Sequence, residues 1–168
     1  MIDKKWYDEY MERYRRALFD EDVYELAGDF KELLLQTKEK GGTVYFAGNG
    51  ASAAIASQLA ADFTKQGKVP SFTFNDPDFI TCFANDFGYE NWLAKALEYH
   101  AKENDVVVLI SSSGNSPNVV AAAKYAREHN LPVVTFTGFS PENKLKAEGD
   151  INFWLDSKAY NIIECTHM

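Results

Sequence analysis

Apolar and polar positions along the chain alternate between two periods. Short, largely apolar runs at 43–47, 70–74, 106–111, 132–136 and 151–155 have the pattern of strands buried on both faces of a parallel sheet. Helical patterns lie between them at about 52–66, 78–86, 90–102, 117–129 and 142–148. Two amphipathic segments precede the first strand. One runs from Lys5 to about Leu18 and carries Trp6, Tyr7, Tyr10, Met11, Tyr14 and Leu18 at three- and four-residue spacing. The other carries Val23, Leu26, Phe30, Leu33 and Leu34 and ends at Glu39–Gly42.

Strict strand–helix alternation predicts an α/β fold, because each parallel crossover needs a helix and is right-handed. The expected architecture is a doubly wound five-stranded parallel sheet of flavodoxin-like order, three layers α/β/α, with an N-terminal helical arm. A chain of 168 residues is expected to form one domain over 1–168. Within it, 1–40 is the arm, 43–156 the sheet core and 157–168 the start of a C-terminal helix. The aromatic stripe of the arm is read as packing surface, within the chain or between copies, so a homo-oligomer is expected.

Two strand ends stand out chemically. Val106-Val-Val-Leu-Ile runs directly into Ser111-Ser-Ser-Gly-Asn-Ser116, and Pro117 then opens a helix for which Ser116 is the expected N-cap. A helix start offers unpaired N–H groups and the positive dipole end, so hydroxyls around it make a cradle for phosphate or carboxylate. Serines and a glycine also simply make a good turn. The chain does it twice, however: Val44-Tyr-Phe-Ala ends in Gly48-Asn-Gly-Ala-Ser52, again at the start of a helix. In the predicted strand order the first and third strands are neighbours whose connections leave in opposite directions, which places both loops at one crevice.

A net charge of −8 and a pI near 4.9 argue against nucleic acid, which needs a basic footprint. An anionic ligand must therefore be gripped locally, against the overall field. Cys82 and Cys165 form no disulfide framework or metal-ligand spacing. No apolar run has the length of a membrane span and MIDKKWYDEY lacks the apolar core of a signal peptide, so a cytoplasmic location is expected. There is no GxxxxGK[ST] and no GxGxxG after a strand, so neither a P-loop nor a nicotinamide site is supported.

GNGASAA after the first strand, NDFGYEN in the middle, and ISSSGNSPNVVAA followed by PVVTFTG resemble the sugar isomerase (SIS) domain family, and within it the phosphoheptose isomerase branch. The resemblance implies a doubly wound sheet, a homotetramer, and a sugar phosphate related to sedoheptulose 7-phosphate whose phosphate is held by Ser111, Ser112, Ser113 and Ser116. It implies that Asn49, Gly50, Ser52, Asn85 and Asp86 contact the sugar or shape its pocket. Serine hydroxyls and N–H donors suit phosphate oxygens without a lysine, and Asn49, Asn85 and Asp86 offer donors and acceptors to sugar hydroxyls.

Ketose–aldose isomerisation through an enediol needs a base, an acid and a stabilised oxyanion. The resemblance implies a glutamate on the helix after the first loop and a histidine on the last helix for the proton transfers, with zinc bound nearby. Asp62 stands at the glutamate position, one methylene shorter, and Gln58 stands where the family has a metal-binding histidine, so Gln58 and Asp62 are the candidate metal ligands. Near the C-terminus Ile163 occupies the position of the family's metal-binding glutamine, and His167 matches the catalytic histidine only with a shift of register. The last helix stops after about two turns, which predicts a truncated or incomplete end. His100 and His129 end predicted helices, where a cation suits the dipole, and receive no catalytic role. The residues themselves demand no cofactor; zinc enters only through the resemblance. The leading reading is an isomerase. The alternatives are a non-catalytic sugar-phosphate sensor or assembly adaptor, and a lyase or other chemistry on the same scaffold.

Overall fold

The computed structural model describes residues 3–20 and 22–168; Met1, Ile2 and Glu21 of the expected arm lie outside the described residues. Five parallel strands, β1 (Val44–Gly48), β2 (Ser71–Thr73), β3 (Val106–Ser111), β4 (Val133–Thr137) and β5 (Ile151–Trp154), form one sheet in the order β2-β1-β3-β4-β5. That is the flavodoxin-like order, with its switch point between β1 and β3. The register pairs Gly48 with Ile110 and Ser111 with Thr137, so β1, β3 and β4 end side by side.

β3 is the centre of the core. Val106 to Ile110 are all buried, so neither face of the strand meets water. At about 1.5–3 kcal/mol for each large side chain fully buried, this strand alone accounts for a considerable share of the apolar driving force. On one face Tyr45, Ala47, Val107, Leu109 and Val133 pack beneath α4 (Pro77–Phe87), α5 (Trp92–His100) and α6 (Pro117–Glu128), through Trp92, Leu93, Leu97, Val119 and Ala123. On the other Val44, Phe46, Val108, Ile110 and Val134 meet α2 (Tyr24–Glu39) and α3 (Ala51–Asp62), through Leu34, Ile55, Ala56 and Ala60. α3 follows β1 onto one face and α6 follows β3 onto the other, which opens the crevice at the strand ends.

Local chemistry sets the helix boundaries. Asp76 caps α4 by accepting from the backbone N–H groups of Asp78 and Phe79, with Pro77 in the first turn. α3, rich in alanine, ends at Asp62 and continues as a wide turn over Phe63–Gly67, closed by Lys68 in the left-handed region. The helix expected over 142–148 does not form. Only Lys146–Glu148 make a single 3₁₀ turn. Asn143 is the reason: its buried amide donates to Thr137 Oγ1 at 3.2 Å and to the carbonyl of Ser140 at 2.8 Å, which holds the segment after β4 as a loop.

The arm is divided between two roles. α2 lies against the sheet, with Phe30 touching Phe63, Phe136 and Phe153. α1 (Lys4–Phe19) rests on α7 (Tyr160–His167), where Asn161 bonds the hydroxyls of Tyr10 and Tyr14. Most of the apolar stripe of α1 stays in solvent in the single chain: Trp6, Tyr7, Met11 and Leu18 are each about half exposed, and of its residues only Ala17 is buried.

Candidate functional site

The site is built from the first loop upward. Gly48 ends β1 because nothing larger fits: a Cβ there would lie 2.7 Å from Ser52 Cβ and 2.8 Å from the carbonyl oxygen of Ile110. This close approach seats the first turn of α3 directly on β1 and β3. Gly50 precedes α3 with φ +57, a conformation that suits glycine, and its carbonyl accepts from Ala53 and Ala54. Ser52 is buried in that first turn.

The second loop departs from its sequence expectation in one respect. Ser116 is the N-cap residue of α6, yet its side chain makes no capping bond. Its Oγ lies 3.1 Å from Ser111 Oγ instead, across the mouth of the loop, so the N–H groups of the helix start keep no side-chain partner from it. Ser113 Oγ accepts from the backbone of Asn115 at 3.2 Å. Ser112 is 5% exposed and its hydroxyl has no hydrogen-bond partner. A buried donor left unpaired costs about 1–3 kcal/mol, so this hydroxyl is a group waiting for an acceptor. The loop is braced from behind. Gly138 N–H donates to the Ser112 carbonyl and Leu145 N–H to that of Gly114, both at 2.9 Å. Gly114, at φ +64, packs so closely on Asn143 that a Cβ would overlap its side chain.

The two loops meet. Asn49 Nδ2 donates to Asn118 Oδ1 at 2.8 Å, and Asn118 Nδ2 donates to Asn49 Oδ1 at 2.9 Å, a reciprocal amide pair bridging the β1 loop and the start of α6. Tyr89, from the turn between α4 and α5, donates its hydroxyl to Asn49 Oδ1 at 3.2 Å. Sequence reasoning missed Asn118, Tyr89 and Asn143. Asn118 lay inside the quoted SPN stretch, but nothing local distinguishes an amide reaching another loop from an ordinary first-turn asparagine. Among the described residues no lysine or arginine side chain takes part in the hydrogen bonds of these loops. The crevice therefore offers neutral hydroxyls and N–H groups under two convergent helix starts, a donor set suited to an oxyanion.

The remaining candidates are less gathered. Asn85 and Asp86 sit exposed at the end of α4 and bond each other at 2.9 Å; it is Tyr89, a few residues on, that reaches the first loop. Asp62 ends α3, ten residues beyond Ser52 and so about 15 Å along the helix axis. Its carboxylate is held by two amides, Gln58 Nε2 at 2.9 Å and Gln66 Nε2 at 3.3 Å.

His167 is sealed. It is 8% exposed, its ring meets Phe136 edge-on at 5.6 Å, and neither nitrogen has a hydrogen-bond partner. Burial pushes its pKa down to about 4, which the nearby Thr137 backbone opposes only in part. It lines a concavity of about 470 Å³ between the arm and β5. Another, of about 570 Å³, lies at the opposite ends of the strands and is lined by Lys40, Asn104 and Pro132. Neither concavity is lined by the serine loops.

The metal that the resemblance implies does not fit these residues. Gln58 spends its amide N–H on Asp62 and has only a neutral carbonyl oxygen left, a poor zinc ligand beside the imidazole it replaces. Among the described residues no three His, Cys, Asp or Glu side chains gather into a metal-binding group.

Comparison with known proteins identifies the family and the fold. A model of the SIS domain family matches residues 7–138. The phosphoheptose isomerase of Fusobacterium nucleatum subsp. nucleatum is 32% identical over 162 residues, which cover 94% of this chain and 83% of that protein. The structure of a phosphoheptose isomerase from Neisseria gonorrhoeae superposes with a TM-score of 0.86 at 28% identity, over 98% of this chain and 89% of the other. That of a phosphoheptose isomerase from Francisella tularensis superposes with a TM-score of 0.90 at 23% identity, over 99% and 92%, a likeness of fold.

Proposed function

This chain belongs to the SIS domain family, and on that premise we propose that it is a sugar-phosphate isomerase acting on a ketose phosphate related to sedoheptulose 7-phosphate. The observation that carries the reading is the pair of serine-bearing loops joined by Asn49 and Asn118 beneath two helix starts, with the buried Ser112 hydroxyl unpaired. Ser111, Ser112, Ser113 and Ser116 hold the phosphate; Asn49, Gly50, Ser52, Asn85 and Asp86 face or shape the sugar. Residues 1–168 act as one SIS domain. The ligand is a small sugar phosphate and not nucleic acid. Among the described residues no helix is long and apolar enough to cross a membrane, and a cytoplasmic location suits such a substrate.

The reaction takes a proton from the carbon beside the carbonyl, passes through an enediol and returns the proton to the neighbouring carbon. Of the two candidate proton carriers, Asp62 has solvent access and a carboxylate fixed by two amides, whereas the nitrogens of His167 are shut away in the core. The exposed stripe of α1 supports a homo-oligomer, a tetramer by family likeness. Replacing Trp6 and Met11 by glutamate is expected to shift the protein to a smaller species in size-exclusion chromatography with light scattering. A wild-type chain that is already monomeric overturns this assembly.

A turnover assay on sedoheptulose 7-phosphate, run with and without added zinc, tests the function. The expected result is zinc-independent conversion that Asp62→Asn reduces by at least about 100-fold. A variant as fast as the parent clears Asp62. The amide-bound Asp62 and sealed His167 also support a second reading, a sensor that binds a sugar phosphate without converting it; ligand binding with no turnover establishes that one.

A further inference from the structure

We propose that Asn118 is a positioning residue for this site: its side chain fixes Asn49, and through Asn49 the whole β1 loop, at a set distance from the serine loop. The inference rests on the crevice being the sugar-phosphate site. Asn49 stands between Gly48 and Gly50, so its own backbone has little intrinsic stiffness once it leaves β1. Something outside the loop must hold it. Asn118, 1% exposed in the first turn of α6, does so with two hydrogen bonds, one in each direction, between residues 69 apart in sequence.

The pairing is directional and costly to break. Asn118 is buried and Asn49 part-buried, so loss of the Asn49 side chain leaves the donor and acceptor of Asn118 unpaired away from water, and loss of the Asn118 side chain frees Asn49 from its anchor. Tyr89 adds a third bond to Asn49 Oδ1 from the solvent side, so the amide is clamped from the core and from the mouth. Asn118 itself spends its amide on Asn49 and leaves contact with the ligand to the hydroxyls and N–H groups around it. Its influence on the ligand therefore runs through Asn49.

A double-mutant cycle tests that route. Asn118→Ala and Asn49→Ala are each expected to lower the affinity for sedoheptulose 7-phosphate by about 10- to 100-fold, and the double variant to bind within about twofold of the weaker single variant. Effects that multiply in the double variant, or an Asn118→Ala affinity equal to that of the parent, overturn the proposal while leaving the crevice assignment standing. A parent chain that binds no sugar phosphate overturns the crevice assignment and this proposal with it. Hydrogen exchange without ligand gives a separate readout. Asn118→Ala, or Asn118→Leu should the alanine variant not fold, is expected to speed exchange at Asn49 and Gly50 tenfold or more while the amides of β3 keep their protection. Uniform loss of protection across the sheet would mark Asn118 as an ordinary core residue and overturn the proposal.

Discussion

Replacing Ser111 and Ser116 together by alanine is expected to abolish the thermal stabilisation that sedoheptulose 7-phosphate gives the parent. The two hydroxyls face each other at 3.1 Å across the loop and satisfy one another in the free protein. A phosphate entering between them exchanges that neutral pair for charge-assisted bonds, worth about 1.5–3 kcal/mol each. Losing both costs about 3–6 kcal/mol of binding, or about two to four orders of magnitude in affinity. The fold should tolerate the change, since each substitution removes one oxygen and leaves no buried partner unpaired. Ser112→Ala sharpens the test. Its hydroxyl is already without a partner, so its removal should leave the melting temperature of the free protein unchanged or raised while weakening the ligand. Undiminished stabilisation by the sugar phosphate in the double variant would remove the phosphate assignment. A Ser112→Ala protein that melts lower yet binds as well would show that the hydroxyl serves the fold.

Why these loops were legible in the sequence and other parts of the site were not is a matter of range. Val106–Ile110 followed by Ser111-Ser-Ser-Gly carries its structure locally: a short, largely β-branched apolar run has the pattern of a strand buried on both faces, and serines with a glycine mark the turn that ends it. Alternation and handedness predict a parallel doubly wound sheet, and the observed β2-β1-β3-β4-β5 sheet has the flavodoxin-like order expected of it. The helix expected over 142–148 failed because its decisive interaction is tertiary. Asn143 bonds the end of β4, a partner that no local periodicity reveals. Ser116 gave up its capping bond for the same kind of reason, since Ser111 is closer in space than the helix N–H groups suggest in sequence. The amide pair of Asn49 and Asn118 joins two separate loops, so it was visible only once β1 and β3 lay side by side.

The protonation of His167 gives the second large effect. Burial against Phe136 holds the ring neutral and lowers its pKa from 6.5 to about 4, the Thr137 backbone opposing the shift only in part. Between those values the unfolded chain binds a proton that the folded chain refuses, so acid favours unfolding. The stabilising contribution is fully present above pH 6.5 and is lost as the pH falls toward 4. A shift of this size amounts to about 3 kcal/mol over that window, at 1.36 kcal/mol for each pH unit. Denaturant melts of the parent and of His167→Leu, taken at half-unit steps from pH 4 to 7.5, should diverge below pH 6.5, the variant losing less stability because it has no ring to protonate. Parallel curves would mean that His167 already reaches water or an acceptor in the folded protein. The same variant decides the chemistry. Burial of both ring nitrogens keeps them from a ligand in the crevice, so His167→Leu is expected to retain the isomerase activity of the parent; loss of turnover without loss of stability would place His167 in the reaction and require α7 to open.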